Sequence, residues 1–175
     1  MRHLTFTFIF TCLCILTCIS QDTIQNFTDN NGLKQGLWKE YFPKENFEYA
    51  IINYKDNIQQ GEFKAYKKDY VLYMTGRMEN GLLQGEHKTY FETGDLEILT
   101  WYEKGKENGT RKTLFKTGSV YLLIDFVDNK RNGIYKEFYE NGNLATEGQY
   151  IDNKKVGVWK RFSEKGELIK TENYN

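Results

Sequence analysis

Cysteine is scarce in this chain of 175 residues, and its placement matters as much as its scarcity. Cys12, Cys14 and Cys18 all lie within the first twenty positions, so no disulfide framework can staple the remaining residues. Proline occurs once, as Pro43, and histidine twice, as His3 and His87. Beyond residue 20 that leaves one histidine and no cysteine, which excludes a Cys-based nucleophilic dyad and a His-rich metal site there. No G-x-S-x-G elbow and no G-x-x-x-x-G-K-[ST] phosphate loop is present. Charge of one sign is lacking too. The 24 basic and 24 acidic residues cancel, so nothing calls for a nucleic-acid partner. No apolar pattern of helical period runs over a useful length after the first twenty residues. These absences point away from an enzyme: no catalytic residue, cofactor or metal ligand is expected.

The first twenty residues stand apart from the rest. Arg2 and His3 precede LTFTFIFTCLCILTCI, an uncharged run, and then Ser20-Gln21-Asp22. A basic tip, a short apolar stretch and small residues before a polar start describe a secretory signal peptide at 1–20, cut after Ser20 and helical while intact. Four threonines dilute the run, which is shorter than the roughly 20 residues a membrane-spanning helix needs. A lipoprotein acylated at Cys18 is the alternative, although Thr17 stands where Gly, Ala or Ser is expected. Either reading makes the protein exported: periplasmic, envelope-associated or secreted. The mature chain then has to be stable through burial alone.

What the rest does have is repetition. Gly36, Gly61, Gly85, Gly109, Gly133 and Gly157 are spaced by 25, 24, 24, 24 and 24 residues. A fixed period in that range signals a repeat architecture, in which stacked neighbours supply the stability one unit lacks. The spacing predicts six units at 36–60, 61–84, 85–108, 109–132, 133–156 and 157–175, preceded by a cap or partial repeat at 21–35. Each unit reads as two strands. First halves such as GEHKTYF end at Thr93-Gly94, Thr117-Gly118, Asn141-Gly142 or Lys165-Gly166, read here as two-residue hairpin turns. Second halves such as SVYLLIDFVDN close at Asn80-Gly81, Lys104-Gly105, Asp128-Asn129 or Asp152-Asn153. Unit one, with Pro43, and unit two, with Lys67-Lys68-Asp69, call for longer or different turns. The predicted fold is all-β: one elongated antiparallel sheet of six stacked hairpins, twelve strands and about 55 to 60 Å long.

Two files of residues recur with the period. Rings predominate two and five residues after the repeat glycine and seven before the next one, as in Trp38, Tyr41 and Tyr54, with Arg111, Leu114 and Met78 as exceptions. With no helix to cover the sheet, these rings are read as its core, and His87 as an aromatic substitute within it. The +2 and +5 positions differ in parity, so either a bulge lies near the glycine or both faces are partly buried. The second file is lysine: Lys39, Lys64, Lys88, Lys112, Lys136 and Lys160, each three residues after a repeat glycine. One reading lays their stems over neighbouring rings while Glu40, Glu62, Glu86 and Glu137 neutralise part of the field. The other makes the file a cationic track for an anionic partner.

The pattern G-x-W-x-x-Y, turn, N-G-x-L resembles the MORN-repeat family in its bacterial variant form. It is cleanest in GLWKEYF (36–42), GIYKEFYENGNLATEGQYIDNKKVG (133–157) and GVWKRFSEKGEL (157–168). The resemblance implies an array of hairpins used for contact with proteins or lipid headgroups, and a likeness to the YwqK-like antitoxin group. The expected function is an exported, non-enzymatic scaffold that binds a protein, including an antitoxin- or immunity-like role. The alternative is an envelope binder of anionic lipid or polysaccharide through its lysine and aromatic face.

Overall fold

A computed structural model describes residues 26–175. The expected signal peptide and Cys18 lie outside the described residues. The strands are β1 (Phe27–Thr28), β2 (Lys34–Tyr41), β3 (Tyr49–Lys55), β4 (Ile58–Tyr66) and β5 (Leu72–Glu79). Then come β6 (Leu82–Leu83), β7 (Gly85–Tyr90), β8 (Leu96–Glu103), β9 (Lys106–Glu107) and β10 (Gly109–Leu114). The last are β11 (Val120–Val127), β12 (Lys130–Phe138), β13 (Leu144–Ile151), β14 (Lys154–Phe162) and β15 (Leu168–Tyr174). All belong to one open antiparallel sheet whose long strands follow chain order, each beside the next. Three strands are only two residues long. β6 and β9 are detached starts of β7 and β10, and β1 lies against β2 through Phe27↔Gln35 and Thr28↔Lys34. The sequence reading of a single helix-free ribbon of hairpins holds.

Two kinds of turn alternate along the ribbon. Between units, Asp56–Asn57, Asn80–Gly81, Lys104–Gly105, Asp128–Asn129 and Asp152–Asn153 have positive φ at both positions. That is the two-residue turn whose twist matches antiparallel strands, and Asn, Asp and Gly tolerate it best. Within units the expectation of two-residue turns is corrected. Phe91, Phe115, Tyr139 and Ser163 each accept a hydrogen bond from the glycine three residues on, and each N–H donates to the carbonyl four residues on. The result is a three-residue loop in which the glycine alone has positive φ, because a type I turn closes through one left-handed residue. Unit one spans its turn with a longer loop from Phe42 to Glu48, and unit two uses a 3-10 turn at Lys68–Tyr70.

The parity question resolves into both alternatives at once. Between Ile52/Tyr54 and Phe63/Gln59 the register slips, and likewise at Ile124/Phe126 and Glu147/Gln149. The repeat glycines Gly61, Gly133 and Gly157 sit in these bulges with positive φ. Both ring positions come after the bulge, so they still point to opposite faces. One face carries Trp38, Phe63, His87, Arg111, Tyr135 and Trp159; we term it the ring face. Its buried residues form two clusters, Ala50, Ile52, Tyr54 and Ala65 in one and Ile124, Phe126, Tyr150 and Trp159 in the other. The +5 residues, Tyr41 through Phe162, lie on the other face beside the lysines.

Candidate functional site

The six lysines fall on one line. Lys39 pairs with Ile51, Ile51 with Lys64, Lys64 with Thr75, and Thr75 with Lys88. Lys88 pairs with Leu99, Leu99 with Lys112, Lys112 with Leu123, and Leu123 with Lys136. Lys136 pairs with Glu147, Glu147 with Lys160, and Lys160 with Thr171. A single cross-strand row thus traverses the sheet with a lysine on every second strand, about 10 Å apart. Register produces this: from Lys64 onward the bulges and turns add up to 24 residues per unit, and the longer loop of unit one takes up its one extra residue. On the hairpin-loop side each unit contributes an uncharged pair, such as Tyr66↔Leu72, Tyr90↔Leu96, Phe138↔Leu144 and Phe162↔Leu168.

The surroundings of the lysines are unequal. The Lys39 ammonium sits 3.9 Å from the Tyr49 ring centroid, 5.1 Å from Tyr41 and 5.7 Å from Tyr70. Hydrogen bonding to Tyr41 and the attraction of the nearby tyrosines raise its pKa above the usual lysine value. Lys88 is paired with Glu86 at 2.7 Å, which raises its pKa as well, and Lys160 with Glu147 at 3.3 Å. Among the described residues, Lys64, Lys112 and Lys136 make no ion pair. The expected laying of stems over rings is therefore not the general pattern, and at Lys39 it is the ammonium itself that meets the rings. Two of the expected neutralising acids also belong elsewhere. Glu40 pairs with Lys34 and accepts from the Tyr54 hydroxyl, and Glu137 accepts from the Tyr121 and Tyr135 hydroxyls. Strand alternation sends both to the ring face, one residue out of phase with the lysines.

Two open depressions interrupt the row. One, of about 340 Å³, lies between Lys64 and Lys88 and is edged by Glu62, Arg77 and Glu86. The other, of about 350 Å³, lies between Lys136 and Lys160 beside Glu147. Both border a strand glycine, Gly76 or Gly148. Each holds amines and carboxylates near one another without a nucleophile–base pair.

The ring face has a different interruption. His87 packs against Phe63 and Tyr102 at ring distances of 6.0 and 5.6 Å, and burial pushes its pKa down. It fills the aromatic position the sequence assigned to it. In the next unit Arg111 occupies the same position, with its guanidinium 4.5 Å from the Phe126 ring and its Nε donating to Glu107 at 2.8 Å. Glu107 is only 5% exposed while the Arg111 side chain is 36% exposed, so a half-buried ion pair forms the polar joint between the two apolar clusters. Sequence reasoning missed it, since a lone Glu before a repeat glycine carries no periodic signal. Among the described residues no group of three His, Cys, Asp or Glu side chains is placed to hold a metal ion.

Residues 131–152 and 155–175 match the MORN repeat variant. The carboxyl-terminal part of the ribbon is therefore similar to the MORN repeat variant, over about a quarter of the chain. These units keep a ring at the +2 position, Tyr135 and Trp159, and glycine in the hairpin loop, Gly142 and Gly166. Among the earlier units, Arg111 replaces the ring at +2 in unit four, and Tyr70 stands where the glycine would be in unit two. MORN repeats commonly serve as protein- or membrane-interaction modules, which agrees with a non-catalytic scaffold. No curated protein matches the chain.

Proposed function

We propose that this protein is an exported, non-enzymatic repeat scaffold that binds another protein through its lysine-bearing face. The observation that carries the reading is the single row of lysines beside uncharged pairs. A cationic line next to apolar side chains suits an acidic protein surface, which gains charge complementarity along the row and burial next to it. An antitoxin- or immunity-like role, in the manner of the YwqK-like group, is the specific form of this reading when the bound protein is a toxin acting in the envelope. Pull-down from the native envelope under mild conditions is expected to recover a stoichiometric protein partner, and recovery of none counts against the proposal.

Lys64, Lys112 and Lys136, which lack carboxylate partners among the described residues, support a second reading, binding of anionic lipid or polysaccharide. Replacing Lys88, Lys112 and Lys136 with Gln is then expected to weaken binding to anionic vesicles or polygalacturonate and to flatten its salt dependence. Unchanged affinity would remove the row from consideration.

A further inference from the structure

At the amino-terminal end of the lysine row, the rings of Tyr41, Tyr49 and Tyr70 gather around the Lys39 ammonium, and Tyr66 stacks on Tyr49. Tyr41 and Tyr49 face each other across β2 and β3, and Tyr49 faces Tyr66 across β3 and β4. The Tyr49 and Tyr66 rings stack at 5.0 Å, and the Tyr70 ring meets Tyr49 edge-on at 6.1 Å. Tyr49 is buried, whereas Tyr41 is 63% and Tyr70 77% exposed. Tyr41 occupies the periodic position five residues after the repeat glycine, but nothing in the repeat requires Tyr70. Four of the six units place glycine where unit two has Tyr70, and Tyr70 keeps the left-handed φ of +62° there. Asp69 beside it also has positive φ, at +60°. Asp tolerates that region, as it does in the turns between units, but a bulky tyrosine there is costly, and such strain tends to gather at functional sites. The corner is cationic as well: Lys39 and Lys64 flank Ile51 in the row and Lys68 lies in the loop, whereas the Lys67 ammonium pairs with Glu92 at 3.4 Å.

We propose that this corner, with Tyr41 and Tyr70 as its exposed rings and Lys39 as its charge, is the anchor site for an acidic segment of a partner protein. Tyrosine is enriched where interfaces concentrate binding energy, because it covers much area with few rotamers to freeze. A carboxylate reaching Lys39 would find an ammonium already positioned by rings that do not neutralise it. The apolar part of the same segment would cover Tyr41 and Tyr70. The proposal rests on the reading that the lysine-bearing face is the partner face, and it names where on that face recognition is concentrated.

Tyr70→Gly offers a clean test. Glycine suits the loop conformation, so this variant should melt at the same temperature or higher while lacking the ring. The probe is a glutamate–tyrosine random copolypeptide, titrated calorimetrically against the whole chain. Poly-L-glutamate, phosphatidylglycerol vesicles and polygalacturonate serve as parallel probes. Tyr70→Gly and Tyr41→Ala are each expected to weaken copolypeptide binding at least fivefold without loss of thermal stability. If binding ignores both tyrosines but falls when Lys88, Lys112 and Lys136 become Gln, the anchor is wrong and the lysine-face reading survives. If binding ignores all five changes, both fail. Failure of the copolypeptide to bind at all overturns the anchor, as does Tyr70-dependent binding of vesicles or polygalacturonate alone.

Discussion

The two ends of the ribbon build the same two-stranded unit from different side chains. Near the carboxyl terminus the ring face is filled by rings: Trp159 lies 5.2 Å from Tyr135, 5.1 Å from Tyr150 and 6.2 Å from Tyr174. Near the amino terminus Tyr54 is buried among smaller residues, Ala50, Ile52 and Ala65, with Phe42 and Phe47 reaching in from the long first loop. That region keeps an apolar cleft of about 240 Å³ bordered by Phe47, Phe63, Met78, Leu83 and His87. The turn ends differ likewise. Lys106–Asp128 and Lys130–Asp152 link successive turns at 3.3 and 2.9 Å, where the earlier turns carry exposed Ile58 and Leu82. Strand order and register survive these exchanges because turn conformation and the glycine bulges set them, whereas side-chain volume decides how tightly each end is packed.

The strongest way to break the comparison is through the strand glycines. A Cβ at Gly148 would overlap the Trp159 indole, which is itself confined by three other rings. A Cβ at Gly76 would come within 2.6 Å of Phe63, a ring that borders the open cleft and has room to move. Gly148→Ala is expected to cost about 3 kcal/mol and Gly76→Ala about 1 kcal/mol, measured by urea unfolding. Equal losses would mean that the two ends are equally rigid. Arg111→Ala comes next, at about 2 kcal/mol, because it strands the buried Glu107 carboxylate at the joint. Unfolding followed separately through Trp38 and Trp159 should then lose coincidence, whereas coincident transitions would show that the joint does not couple the ends.

Titration should separate the regions further. Burial holds the pKa of His87 below its ordinary value of 6.5, so the unfolded chain binds the extra proton. Its contribution to stability is complete above that value and declines as pH falls below it, until the folded protein also protonates. His87→Phe should remove that acid-side component of the melting profile. In the other cluster, burial and the Glu137 carboxylate push Tyr135 up to about 12. Here the unfolded chain loses its proton first, so stability declines as pH rises above about 10, and Tyr135→Phe should blunt that loss. The smallest effect belongs to the exposed turn pairs. Lys130→Ala is expected to cost less than about 1 kcal/mol, and a larger loss would make the turn ladder structural.

Much of this architecture was legible because a repeat displays each structural decision several times. Six glycines, four turn pairs rich in Asn, Asp and Gly, and a large apolar or aromatic residue seven before each next unit specify strands, turns and an uncovered sheet. The lysine file was legible for the same reason. The loop type within units was not, because Thr-Gly or Asn-Gly serves both a two-residue turn and a three-residue loop closed by glycine. The tyrosine corner escaped notice since unit two lacked a glycine where Tyr70 stands, and an absence does not reveal what a replacement side chain will touch.

By itself the sequence determined a ribbon of stacked hairpins and an evenly spaced run of lysines, because both follow from local period and turn chemistry. Tertiary structure alone decided which acids reach those lysines, which glycines lie beneath rings and where Glu107 meets Arg111. Those outcomes depend on the side a strand presents after each bulge and on neighbours some twenty residues away, and register through space is not written in any single repeat.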